Sequence, residues 1–147
     1  MGTEVRYSRS TSFHEAGHAA VAWSLGVPVV ALWVNADDAG GGAEIGKTAH
    51  LRLTEQIAIW SGGAVAQKVF DCSGHELAAF QDNVAIMELL EEHGISEENE
   101  GPALRAQGWD IASARPEANR TKVTRVADRL IEHGRMEAPD FLSLMNG

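Results

Sequence analysis

Two histidines, His14 and His18, stand four residues apart, and Glu15 follows the first of them directly. Residues at this spacing lie on the same face of an α-helix, one turn apart, so both imidazoles can reach a single point beside that face. The segment that follows is mostly apolar, as is typical of a buried helix. We therefore predict a helix that begins between residues 6 and 12 and ends at Gly26.

The remaining pattern predicts a mainly α protein with a small β component (α+β). Residues 29–35 form a β-branched and aromatic run that is too short for a helix and predicts a strand, and residues 43–51 are a weaker strand candidate. Trp23, Trp33 and Trp60 lie at periodic or strand positions and are predicted to be in the core. Apolar residues recur at helical spacing in 53–70, 80–93 and 119–133, and a last helical turn is predicted at 139–144. We expect one domain of residues 1–147.

Composition excludes several classes of protein. The 147 residues carry a net charge of -9, whereas binding to a nucleic acid needs a concentrated basic face. The single cysteine, Cys72, excludes an internal disulfide and a multi-thiolate zinc cage, and it suits a reducing compartment. The longest apolar stretch, residues 19–34, is interrupted by polar and turn residues and is too short for a membrane span. We expect a cytoplasmic protein with neither a nucleic-acid partner nor a membrane span.

Imidazole nitrogens are preferred zinc ligands, so the spacing of His14 and His18 predicts a Zn²⁺ site. Glu15 would lie beside the ion and could take a proton from a water molecule. An alternative is that Ser12 and Glu15 form a capping box at the start of the helix, with both histidines as ordinary polar residues.

A catalytic zinc ion keeps three protein ligands, so a third donor must come from elsewhere in the chain. Asp82 is the best candidate, because it lies on the apolar face of the third predicted helix, where a metal ion would offset the cost of burying a carboxylate. From the pattern alone, an N-cap role for Asp82 is equally well supported. His75 and Glu76 are the second choice as ligands.

The string Phe-His-Glu-Ala-Gly-His-Ala at residues 13–19, followed by an apolar helix, resembles the peptidase domain of the FtsH family of ATP-dependent zinc proteases. Four later segments are similar to further motifs of that family, namely residues 62–70, 80–82, 92–97 and 127–134. The resemblance spans nearly the whole chain. It implies a zincin-like helical bundle with a small β-hairpin or short sheet after the motif helix.

The resemblance also implies a function. His14, His18 and Asp82 would bind Zn²⁺, and Glu15 would be the catalytic base of a zinc-dependent endopeptidase. The substrate would be an extended peptide or unfolded protein, bound by strand addition at the edge near residues 43–51, unless that edge is a plain surface hairpin. The chain resembles a short stand-alone relative without the ATPase module, so a separate ATPase or a dedicated protein partner could be needed.

The sequence departs from the family at three positions. Ala64, Gln67 and Lys68 stand where the family has an arginine and two glutamates, which removes charged groups that could orient the ligands or position substrate. The stretch between residues 101 and 120 is shorter than the family's helical segment, so part of the C-terminal bundle is expected to be missing. These departures keep a second function open, a non-catalytic zinc-binding or protein-interaction module with the same fold.

Overall fold

The computed structural model describes residues 7–36, 40–72 and 76–147, and only the backbone at residues 76 and 77. It is mainly helical with one small sheet, which confirms the predicted α+β class. Along the chain the elements are α1 Arg9–Ser24, β1 Val29–Val34, β2 Gly41–Ile45, α2 Leu53–Val69, α3 Glu76–Glu92, α4 Gly101–Ala118, α5 Arg120–His133, β3 Arg135–Glu137 and α6 Ala138–Asn146.

The motif lies inside α1, well beyond its first turn. Ser8 is the N-cap, and its side chain accepts a hydrogen bond from the backbone N–H of Thr11. Ser12 is therefore an interior residue, and its hydroxyl donates to the carbonyl of Ser8. The capping box of Ser12 and Glu15 is thus wrong. The helix ends before Gly26, whose φ of 79° lies in the left-handed region that favours glycine.

The three strands form an antiparallel sheet in the order β2-β1-β3, which leaves β2 at an edge. β2 ends at Ile45, so the strand predicted over residues 43–51 is shorter and begins earlier than expected. β3 was not predicted, because three residues are too few for a recognisable alternation. Its pairing with β1 connects the C-terminal part of the chain to the sheet.

α1 crosses α2 where both helices have glycine. A Cβ atom added to Gly17 would overlap the carbonyl oxygen of Gly62, and one added to Gly62 would crowd the carbonyl of Gly17. The two backbones can approach this closely only because neither residue has a side chain. This contact fixes the motif helix against the helix that carries the departures from the family pattern.

α4 is a helix where the sequence pattern predicted none. It packs along α2, and a Cβ on Gly108 would overlap the side chain of Ile57. The prediction failed because α4 contains Gly108 and Pro116 and has no clear apolar stripe. α5, by contrast, buries an apolar face and closely matches its predicted bounds. Within the described residues, no helix combines the length and hydropathy that a membrane-spanning segment needs.

Candidate metal centre

His14 and His18 lie on the buried face of α1, with 2% and 7% of their surfaces exposed. Their Nε2 atoms are 3.0 Å apart, and the rings meet edge to face at 81°. The four-residue spacing therefore brings both imidazoles to one point beside the helix, as predicted. A Cβ on Gly63 would overlap the His14 ring, so this glycine makes room for the imidazole.

Asp82 comes from α3 and reaches the same point. Its Oδ2 atom lies 2.8 Å from Nε2 of His14 and 3.1 Å from Nε2 of His18. α3 begins at Glu76 rather than at residue 80, so Asp82 is inside the helix and the N-cap alternative is wrong. His75 and the side chain of Glu76, the second-choice ligands, lie outside the described residues.

The three donor atoms suit a divalent metal ion. All ligand atoms of His14, His18 and Asp82 lie within 4.8 Å of one another. Tetrahedral zinc with bonds of 2.0 to 2.1 Å separates its ligand atoms by about 3.3 Å. The spacings of 2.8, 3.0 and 3.1 Å are a few tenths of an ångström shorter, so small side-chain rotations would admit the ion. The group can therefore hold a metal ion through two nitrogens and one oxygen.

The Nδ1 atom of each imidazole ring also has a hydrogen-bond partner. Nδ1 of His18 lies 2.7 Å from the carbonyl oxygen of Ile59, which can only accept, so Nδ1 carries a proton and donates it. Nδ1 of His14 lies 3.0 Å from Oε1 of Gln67 in the same manner. Because Nδ1 keeps its proton, Nε2 is the nitrogen through which each ring would bind a metal ion, after loss of any proton that Nε2 carries.

Gln67, one of the three departures from the FtsH-like pattern, has a role in the structure that the sequence did not predict. The loss of a charged residue at this position was expected to remove a group that orients the ligands. In the structure the neutral amide contacts His14 directly. The sequence did not reveal this role, because a glutamine in a helix carries no signal of the residue that it contacts. Gln67 is nevertheless buried.

Opposite charges meet where the three donor atoms converge. Burial opposes the charged form of His18, but the hydrogen bond and negative charge of Asp82 raise its pKa to about 9. Burial likewise works against the charge of Asp82, and hydrogen bonds from His14 and His18 outweigh it and lower the pKa of Asp82 to about 2. Binding of a metal ion through Nε2 of His18 would therefore displace a proton.

Glu15 is buried beside the two histidines, with 5% of its surface exposed. Burial raises the pKa of its carboxyl group, while the positive charges of His18 and His14 act in the opposite direction. Glu15 also lines the cavity onto which the donor atoms open. A carboxylate with a raised pKa in this place is suited to exchanging protons with a molecule in the cavity.

No protein-family model matches this chain. The search of curated proteins also finds no significant match.

A cavity of about 620 Å³ opens onto the site. The backbone of β2 forms one wall, and Trp33, Ile59 and Trp60 contribute apolar surface. The Trp60 side chain is 40% exposed and its ring centroid is 6.3 Å from that of His18, so the expectation that Trp60 lies in the core is wrong. The cavity is large enough for amino-acid side chains of a bound peptide.

Proposed function

We propose that this protein is a zinc-dependent endopeptidase. The observation that carries the proposal is the convergence of two Nε2 atoms and the Asp82 carboxylate at one point of an open cavity, with Glu15 beside them. Two imidazoles and one carboxylate are a donor set typical of catalytic zinc, which leaves a further position for water. The resemblance of residues 13–19 to the FtsH peptidase motif supports the same chemistry.

Zinc, when bound, would polarise the scissile carbonyl group and make a water molecule more acidic. Glu15 would accept one proton from that water as its oxygen bonds to the carbonyl carbon. The C–N bond would then break, and Glu15 would return the proton to the leaving amine. The raised pKa of Glu15 supports the first transfer, because burial makes the carboxylate a stronger base than an exposed one.

The substrate would be an extended peptide or an unfolded protein. β2 is one of the two edge strands of the described sheet, and its residues line the cavity, so a peptide could add to this edge by main-chain hydrogen bonds. That placement would bring a scissile bond toward the metal ligands. A separate ATPase or a dedicated protein partner would supply substrates that are otherwise folded.

The test is Glu15→Gln, assayed with a general peptide library and by metal analysis of the purified protein. The variant should keep zinc and lose cleavage, because the amide cannot accept the proton. Glu132→Gln, a change of the same kind at the exposed end of α5, serves as the matched control and should cleave normally. Cleavage by Glu15→Gln at the wild-type rate would overturn the mechanism.

The second candidate is a zinc-binding or interaction module without catalysis. The substitutions at Ala64, Gln67 and Lys68 favour it, since they remove charges near the site. Lys68, however, places its Nζ atom 6.0 Å from the ring centroid of Trp109, and neither Ala64 nor Lys68 lines the cavity. Zinc without turnover in the wild-type protein would support the module, and zinc with turnover would support the enzyme.

A further inference from the structure

Gln67 connects the first turn of α1 to the candidate metal centre. Its side-chain amide is buried, with 8% of the residue exposed. Nε2 donates to the carbonyl oxygen of Ser10 at 3.1 Å, and Oε1 lies 3.0 Å from Nδ1 of His14. Both ends of the amide are therefore occupied by specific partners.

These two contacts determine which way the amide points. The carbonyl oxygen of Ser10 can only accept a hydrogen bond, so it must face the NH₂ group of Gln67. The amide oxygen then faces His14, and Nδ1 of His14 must be the donor. A reversed amide would place two acceptors together at Ser10 and would leave a buried group unsatisfied.

We propose that Gln67 is a positioning residue of the metal centre. Its neutral oxygen accepts a hydrogen bond from the Nδ1–H group of His14. This bond orients Nε2 toward Asp82 and the metal ion and adds no charge to the site. The inference rests on the proposed function, because it assigns a role at the same centre. It concerns metal binding, however, and can be tested without any cleavage assay.

The amide meets a requirement that a carboxylate would not meet. A glutamate at this position could still accept from His14, but it would present an oxygen to the carbonyl of Ser10 and would lose that contact. It would also place a third acidic group at a site that already holds Asp82 and Glu15. Glutamine is therefore the residue that satisfies Ser10 and His14 together while the site stays less negative.

The first experiment measures the dissociation constant for Zn²⁺ by competition with a chromophoric chelator. Gln67→Met keeps the length of the side chain and removes the acceptor, so zinc should bind about 10- to 100-fold more weakly, the usual effect of losing an outer-shell partner. A loss below about tenfold would overturn the proposal, even if the variant is less stable to urea. A purely structural role would change stability and leave zinc affinity in place.

The matched control is Gln56→Met. Gln56 is also a buried glutamine of α2, and its Nε2 donates to the carbonyl oxygen of Leu51 rather than contacting a ligand. This variant should lose a similar amount of stability and keep its zinc affinity. Equal losses of zinc affinity in both variants would show that Gln67 acts through the stability of α2, which contradicts the proposal.

Gln67→Glu tests the acceptor separately and covers the case in which Gln67→Met does not fold. The carboxylate can still accept from His14, so zinc affinity should stay within about tenfold of the wild-type value. A loss of zinc affinity of more than about tenfold would overturn the proposal, because the hydrogen-bond acceptor would be present and zinc would still bind weakly.

A third measurement does not depend on zinc. In nitrogen-15 spectra of the metal-free wild-type protein, His14 should show a proton on Nδ1 that exchanges slowly with water, and Gln67→Glu should keep it. Rapid exchange or an unprotonated Nδ1 in the wild-type protein would overturn the proposal. Failure of the proposed function would appear differently, as a wild-type protein that shows this proton and binds zinc but does not cleave peptides.

Discussion

Oδ2 of Asp82 lies 2.8 Å from Nε2 of His14, although the two residues are 68 positions apart in the chain. α1 supplies the two histidine donors, and α3 supplies the carboxylate. α3 packs against α2, which in turn packs against α1, so the candidate metal centre depends on the arrangement of three helices.

Asp82→Asn should weaken zinc binding by about 100-fold or more, because it replaces a charged ligand with a neutral one at the ion itself. Isothermal titration with Zn²⁺ measures the change. Asp110→Asn, at an exposed position on α4, is the matched control and should bind as the wild-type protein does. Unchanged affinity in Asp82→Asn would remove Asp82 from the ligand set.

Stability of the metal-free protein should depend on pH through His18 and Asp82. The pKa of His18 is raised to about 9, so its contribution is complete below its ordinary value of 6.5 and is lost as the pH rises through about 9. The pKa of Asp82 is lowered to about 2, so its contribution is complete above 3.8 and is lost as the pH falls through about 2. Glu15, whose pKa is raised, acts in the same direction as His18, because its contribution falls as the pH rises above its ordinary value of 4.5.

Urea unfolding of the metal-free protein should therefore show a higher free energy of unfolding near pH 5.5 than near pH 9.5. His18→Gln should flatten this dependence, since it removes the group with the raised pKa. A wild-type protein as stable at the alkaline pH as at the acidic one would contradict the expectation.

Zinc affinity should have the opposite dependence on pH. A cation that binds Nε2 of His18 must displace a proton whose pKa is about 9 in the metal-free protein. The apparent affinity should therefore fall about tenfold for each pH unit below that value, for one displaced proton. Chelator competition at several pH values measures the slope, and a flat profile would show that no proton is released.

Gly17→Ala should destabilise the fold, because the new Cβ would overlap the carbonyl oxygen of Gly62. Overpacking of this kind costs about 1 to 3 kcal/mol. Urea unfolding measures the loss, and Ala106→Ser at an exposed position of α4 is a control expected to stay within about 0.5 kcal/mol of wild type. A fully stable Gly17→Ala protein would mean that the two helices can separate without cost.

Trp60→Ala should raise the KM for peptide cleavage and leave zinc affinity unchanged. The exposed indole lines the cavity, and its ring centroid is 6.3 Å from that of His18. Phe80→Ala removes a more exposed aromatic ring outside the cavity and should have no effect on KM. Equal KM values for all three proteins would exclude Trp60 from substrate binding.

The sequence by itself determined the motif helix, the placement of His14 and His18 on one face of it, and the mainly α class with a small β component. These features follow from periodicity within one segment, because helix geometry alone puts residues four apart on one face. It also predicted α5 closely, since that helix has a regular apolar stripe. The weak stripe of α4, by contrast, left that helix unpredicted.

Only the tertiary structure decided the partners of the motif. Whether Asp82 caps α3 or lies inside it depended on where that helix begins. α3 begins at Glu76, before the apolar pattern from which the sequence predicted it. The contact of Gln67 with His14 and the exposure of Trp60 depend on how α2 packs against α1. Such contacts join residues far apart in the chain, and their geometry is set by helix packing rather than by any local spacing.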